Sequence, residues 1–177
     1  MKAVNKQQLL DNLEQQVDAH LQQAVRVYQN LSNDILNTPS ATGGWSIAQC
    51  IDHLNSYGDY YLPHIEKVLR TKNDESTFIS GWLGDYFTKS MDPKSGKKMK
   101  ALKGHIPATT LDAHKVVAEF IHQQETLLTY LRASRTANLN VRIPITISKL
   151  IRIKLGDILQ FLIMHDERHI QQANRNL

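Results

Sequence analysis

Cysteine is nearly absent from these 177 residues: Cys50 stands alone. That excludes an intramolecular disulfide framework and a zinc site built from several thiolates. Glycine (8) and proline (5) are scarce, which argues against collagen-like, low-complexity and turn-rich all-β chains. No stretch approaches the roughly 18 uninterrupted apolar residues of a membrane helix. The opening Met1-Lys2-Ala3-Val4-Asn5-Lys6 turns polar at once, without the apolar centre of a signal peptide. The expectation is a soluble, cytoplasmic protein in a reducing compartment, with no membrane partner. Lys+Arg 21 against Asp+Glu 17 gives a net charge of +4, only weak support for a nucleic-acid partner. What is present is 41% hydrophobic and 21% charged residues, enough to bury a core without covalent staples. One domain spanning 1–177 is expected.

Apolar residues recur at helical spacing in four long segments. In the first, about 6–36, Leu10, Leu13, Val17, Leu21, Ala24, Tyr28, Leu31 and Ile35 form one stripe. The second starts after Ser46, where Gln49 three residues on completes a capping-box pattern and Trp45 is placed as a hydrophobic staple. Its stripe includes Ile47, Ile51, Leu54, Tyr61 and Ile65, and Pro63 predicts a kink or a break. The third covers about 111–133, capped by Thr109 or Thr110, and the fourth about 155–174. Between helices 2 and 3, residues 71–110 lose periodicity, a length typical of a lid or binding segment. Phe78, Trp82, Leu83, Tyr86 and Phe87 suggest that its first part folds back as a short helix; Lys94, Lys97, Lys98, Lys100 and Lys103 make the second part basic. Val141 to Ile147 alternates and is β-branched, but with no partner strand visible it reads as extended chain, not sheet. The fold class is therefore all-α, a four-helix bundle with a long loop between helices 2 and 3.

The chemistry concentrates in Met164-His165-Asp166-Glu167-Arg168-His169. Two histidines four apart lie on one helix face, where both imidazoles can reach one metal ion. Asp166 also falls among the inward positions; a carboxylate there needs a partner or must stay protonated. Glu167 and Arg168 read as solvated charges. The order His-Asp-x-x-His echoes the zincin helix, but the acid is one carbon short and no further ligand follows downstream, which discounts protease chemistry. A third ligand must come from another helix, with His20, His53, His64, His114 and His122 as candidates. His53 and His64 face nearly the same way about 16 Å apart, so they cannot share an ion, and spacing does not choose between them.

The runs Gly44-Trp45-Ser46-Ile47-Ala48-Gln49-Cys50-Ile51-Asp52-His53-Leu54, Leu155-Gly156-Asp157 and His165-Asp166-Glu167-Arg168-His169 resemble the DinB-like family, in the branch of the YfiT-type metal-dependent hydrolases. The resemblance spans most of the chain and is weakest at 71–110. It implies a divalent metal, nickel or zinc, held by three histidines that map onto His53, His165 and His169. Open coordination positions would then serve water or substrate. Some relatives transfer low-molecular-weight thiols, which implies a thiol as a second cofactor. Asp166 would orient a ligand imidazole or accept a proton, as the candidate catalytic residue. Tyr57 and Tyr60 are near enough in sequence to line the pocket, and Cys50 reads as packing rather than nucleophile.

Three functions follow. The leading one is a metal-dependent enzyme acting on a small molecule by thiol S-transfer or hydrolysis, with 71–110 covering the site. Its rival is a non-catalytic module with a vestigial or structural triad, dimerising or holding an apolar ligand. The third, nucleic-acid binding through the lysine cluster, ranks below the reading of that cluster as a solvated loop.

Overall fold

The computed structural model describes residues 1–41, 43–95 and 100–177. Of the lysine cluster, Lys97 and Lys98 lie outside the described residues. The elements in chain order are β1 (Val4–Asn5), α1 (Lys6–Arg26), α2 (Asn33–Asn37), α3 (Ile47–Val68), β2 (Thr77–Phe78), α4 (Trp82–Met91), α5 (Ala113–Ser134), β3 (Arg142–Ile145), β4 (Ser148–Lys154) and α6 (Leu155–Asn174). Helices α1, α3, α5 and α6 form the bundle. Both α1 and α3 pack against α5 and α6, so the order around the bundle is α1, α5, α3, α6. Helices α1 and α3, consecutive among the four, sit across a diagonal.

Local chemistry explains most of the boundaries. At α3 the capping box forms as expected: Ser46 Oγ accepts from Gln49 N (3.1 Å), and Gln49 Oε1 accepts from Ser46 N (3.1 Å), a device worth about 1 kcal/mol. Pro63 neither breaks nor divides α3. It and Asp59, whose carbonyl loses a donor, are both exposed, so the lost hydrogen bond falls on the solvent side of the helix. The single first helix anticipated from periodicity is in fact two. Asn30 Nδ2 donates to the carbonyls of Val25 and Arg26, closing α1, and Ser32 caps α2. The stripe shifts phase there, so Leu36 is buried and Ile35 exposed. Helix α5 is capped by Asp112, whose carboxylate accepts from Lys115 N, not by Thr109 or Thr110.

The segment read as unpaired extended chain is a hairpin: β3 pairs antiparallel with β4, turning at Thr146-Ile147. The turn has none of the Asn-Gly or Asp-Gly chemistry that announces a hairpin. Ile143, Ile145 and Ile153 are buried against the bundle. A second, two-residue pair joins β1 to β2. Helix α4, the short helix expected in 71–110, lies on α6. It is held close because a Cβ on Gly84 would come within 2.2 Å of Asp157 Cγ; the Asp157 carboxylate also accepts the Gly81 N–H at the start of α4 (2.9 Å).

Two apolar clusters fill the interior. One is built around Leu10, Leu127, Leu159 and Phe161, the other around Tyr28, Ile51, Phe120 and Ile170. Buried polar residues complete the interior: His20 on α1, His53 and Asn55 on α3, Gln123 and Gln124 on α5, His165 and Asp166 on α6. A buried polar residue costs free energy unless it is partnered. On one side of α6 Gln124 pairs with Asp166, Gln123 with the Asn55 carbonyl and His20 with Glu167, though Asn55 Oδ1 and Gln124 Oε1 are left without partners. On the other, His53 and His165 border a cavity.

Candidate metal centre

Helices α3 and α6 present two columns of rings at successive i, i+4 positions. Trp45 leads into the column His53, Tyr57, Tyr61 on α3; the α6 column is Phe161, His165, His169. The columns interdigitate: His53 lies 5.0 Å from His165 and 4.6 Å from His169 by ring centroids, and Tyr57 lies 4.4 Å from His165. Phe161 stacks on His165 at 5.7 Å, and Trp45 covers His53 and His169 at 4.9 and 5.8 Å. One potential ligand nitrogen from each of His53, His165 and His169 lies within 4.8 Å of the other two. The Nε2 atoms of His53 and His165 are 3.2 Å apart. Two nitrogens on one tetrahedral ion stand about 3.4 Å apart for metal–nitrogen bonds of about 2.1 Å.

The rings are also in the right chemical state to act as ligands. Burial is the main cause of a lowered pKa in all three: His53 falls below its ordinary value, His165 falls well below, and His169 drops to about 3, with repulsion from His53 adding to the effect. All three are neutral imidazoles near neutral pH, each with a lone pair to offer. Second nitrogens set the orientation. His53 Nδ1 donates to the carbonyl of His105 (2.6 Å), leaving Nε2 to face the other rings. His169 Nδ1 is 3.0 Å from Gln172 Oε1, likewise leaving Nε2. His165 Nδ1 is buried without a hydrogen-bond partner. Three converging neutral donors, two of them oriented by polar partners, fit a divalent ion.

His105 was absent from the candidate histidines because it lies in irregular chain, where helical spacing carries no information. The short 3₁₀ turn Lys103–His105 carries it, and its ring lies on Tyr57 at 4.2 Å. Ser56 Oγ donates to the carbonyl of His53 (2.7 Å); its remaining contact, 2.9 Å to His105 Nδ1, is then one in which the imidazole donates. Thus the segment between α4 and α5 is tied to the helix that carries the first histidine of the cluster.

Asp166 does not face these rings. Its carboxylate accepts from Gln124 Nε2 on α5 (3.0 Å), and burial raises its pKa to about 6. The anticipated link from Asp166 to a ligand imidazole is not formed, because at 100° per residue the next position along α6 points into the bundle's other side. Glu167, expected in solvent, pairs with buried His20 (2.9 Å), which holds its carboxyl below the usual range. Arg168, also expected in solvent, lines the cavity. His64 Nδ1 is 2.7 Å from the Tyr60 carbonyl, and His114 and His122 are exposed; none of the three belongs to the cluster. Of the two tyrosines anticipated, Tyr57 lines the cavity; in place of Tyr60 it is Tyr61 that does so.

The cavity holds about 840 Å³, the size of a small-molecule site. The hairpin contributes Ile145 and Ile153, α4 contributes Phe87 and Met91, and residues near 100–106 close one side. The segment between helices 2 and 3 therefore does border the site.

An all-α bundle with a histidine triad, two of its rings buried, at an open cavity defines a class of helical proteins equipped to hold a metal. A model of the DinB superfamily matches residues 16–173, and the chain belongs to that superfamily. Among solved structures it is similar to YfiT from Bacillus subtilis, described as a probable metal-dependent hydrolase with an unusual four-helix bundle topology. The identity is 20%, the TM-score 0.56, and the match covers 97% of this chain and 85% of that one. That likeness concerns the fold. No curated protein matches. Among the described residues, no helix is long and apolar enough to cross a membrane.

Proposed function

We propose that this protein is a metal-dependent enzyme acting on a small molecule, with His53, His165 and His169 as the ligands of one divalent ion. The observation that carries the reading is the convergence of three neutral imidazoles within 4.8 Å at the wall of a cavity of about 840 Å³. An ion held by His53, His165 and His169 would keep its full charge, because all three ligands are neutral, and would supply acidification of bound water or binding of a thiolate. Among the described residues no Asp or Glu stands in the lining to take a proton, so a nucleophile acidified by such an ion would release its proton to solvent. This suits hydrolysis by bound water and transfer to a bound low-molecular-weight thiol alike. Nickel and zinc both suit nitrogen ligands of this kind.

His105 and Gln172 orient two of the rings, and Trp45, Tyr57 and Phe161 pack against them. The relative YfiT, named as a probable metal-dependent hydrolase, supports the reading. Metal analysis of protein purified without a nickel column, followed by titration with Zn²⁺ and Ni²⁺, tests it. One equivalent is expected, lost in His53→Ala. No bound metal and no binding on titration would overturn it.

A further inference from the structure

The cavity has two chemically different ends. Along α6 the ring of Phe161 precedes the histidine pair, and it meets Tyr61 from α3 and Phe87 from α4 at 6.0 and 6.3 Å. Met91, Ile145 and Ile153 add to this end. From the pair onward, α6 contributes Arg168, between the two histidines, and Gln172, with Arg175 just past its last residue; Lys100 lines the cavity from the segment before α5. At about 1.5 Å per residue, Phe161 lies about 6 Å before His165 along the helix axis, and Arg175 about 9 Å past His169. The triad therefore stands next to an aromatic bay on one side, with Arg168 beside the histidines and Arg175 past them making the rest of the rim cationic.

The charge is one-sided. Lys100, Arg168 and Arg175 line the cavity, and no Asp or Glu does among the described residues. Three neutral imidazoles would add nothing to offset a bound divalent ion. The walls near the histidines are mainly apolar, so charge there is felt more strongly than in water, while Lys100 and Arg175, at exposed positions, act at the solvent edge where salt screens them. A cationic ligand meets repulsion here, and a fully polar one leaves the aromatic bay unused.

We infer, building on the metal-enzyme reading above, that the substrate is an amphipathic anion: an aromatic or branched apolar body in the bay formed by Tyr61, Phe87 and Phe161, and a carboxylate, sulfonate or phosphate at Lys100, Arg168 and Arg175. The reacting bond lies between the two ends, at the histidines. Binding of the anionic end orients the molecule, because only one direction places the apolar body in the bay and the charge on the rim.

The test uses Trp45, which lies over His53 and His169, as a fluorescence reporter. Trp82, 74% exposed and outside the cavity lining, is removed by Trp82→Phe. The full-length protein is titrated with 4-phenylbutyrate and with its neutral counterpart 4-phenyl-1-butanol, as purified and again after chelation. The acid is expected to bind about tenfold more tightly at low salt, in both preparations, with the preference shrinking as salt rises. In Lys100→Gln/Arg168→Gln/Arg175→Gln the chelated protein should lose this preference while its affinity for the alcohol stays the same. Should the triple variant fail to fold, Arg175→Gln alone, at an exposed position, should lower the preference about threefold. Acetate should bind far more weakly than phenylbutyrate. Equal affinity for acid and alcohol, no binding of either, a preference that survives the triple substitution, or acetate binding as well as phenylbutyrate would each overturn the inference. Because the chelated protein carries the decisive comparison, these outcomes are separate from the metal analysis that tests the catalytic reading.

Discussion

His165 and Asp166 are chain neighbours, both almost fully buried, at 3% and 2% exposure, and they serve opposite sides of α6. On the His165 side, ring nitrogens converge on one another beside about 840 Å³ of open cavity. On the Asp166 side, the carboxylate bonds Gln124 directly at 3.0 Å, and the void beside them holds only about 10 Å³. A buried polar group without a partner costs free energy. The closed side offsets part of that cost through the Gln124 donor, though Gln124 Oε1 itself has no partner, while the histidine side keeps lone pairs facing a shared point. The lesson is that burial does not identify a site; unspent donor capacity beside open volume does.

The comparison can be broken most forcefully at the histidines. His53→Ala, His165→Ala and His169→Ala should each reduce bound metal more than about tenfold by elemental analysis. Retention of a full equivalent in all three would erase the distinction between the two sides.

On the closed side, Gln124→Leu removes the donor to the Asp166 carboxylate. It should cost about 1–3 kcal/mol in urea unfolding while metal content stays at one equivalent. Lost metal in that variant would show that the two sides act as one.

The pH dependence of Asp166 sharpens the contrast further. Its folded pKa, about 6, lies above the unfolded value, because burial disfavours the charged form. The stability it contributes is therefore full below about pH 4 and lost as pH rises through about 6. In chelated protein, Asp166→Asn should match the parent at pH 4 and exceed it by up to about 3 kcal/mol above pH 7. A difference independent of pH would mean that the carboxyl is not held in this way.

The smallest effect is expected at Cys50. It is fully buried, and burial pushes its thiol up to about 12. Iodoacetamide at pH 8 should leave it unmodified in the folded protein, and Cys50→Ala should cost about 1 kcal/mol with metal content unchanged.

Much of the architecture was legible in residue order because it depends on contacts four positions apart or fewer. The stripe on α6, the capping box of Ser46 and Gln49, and the edge-to-face meeting of His165 and His169 are of this kind. Where short-range signals conflicted, the reading failed. Apolar spacing ran straight through the end of α1, where the side chains of Asn30 and Ser32 stop one helix and start the next. The β3–β4 hairpin lacks a recognisable turn dipeptide. The pairing of Glu167 with His20 links positions 147 residues apart, and nothing near Glu167 in the chain announces it.

The residue order by itself determined that four amphipathic helices form and that two histidines share a face of the last one, because helical periodicity is a local property of the backbone. Tertiary packing decided the rest. It set which way Asp166 looks, brought the carbonyl of His105 to His53, and opened a cavity between an aromatic bay and three cations. Those outcomes depend on which helices become neighbours, and that is settled by burial of apolar surface over the whole chain rather than by any segment within it.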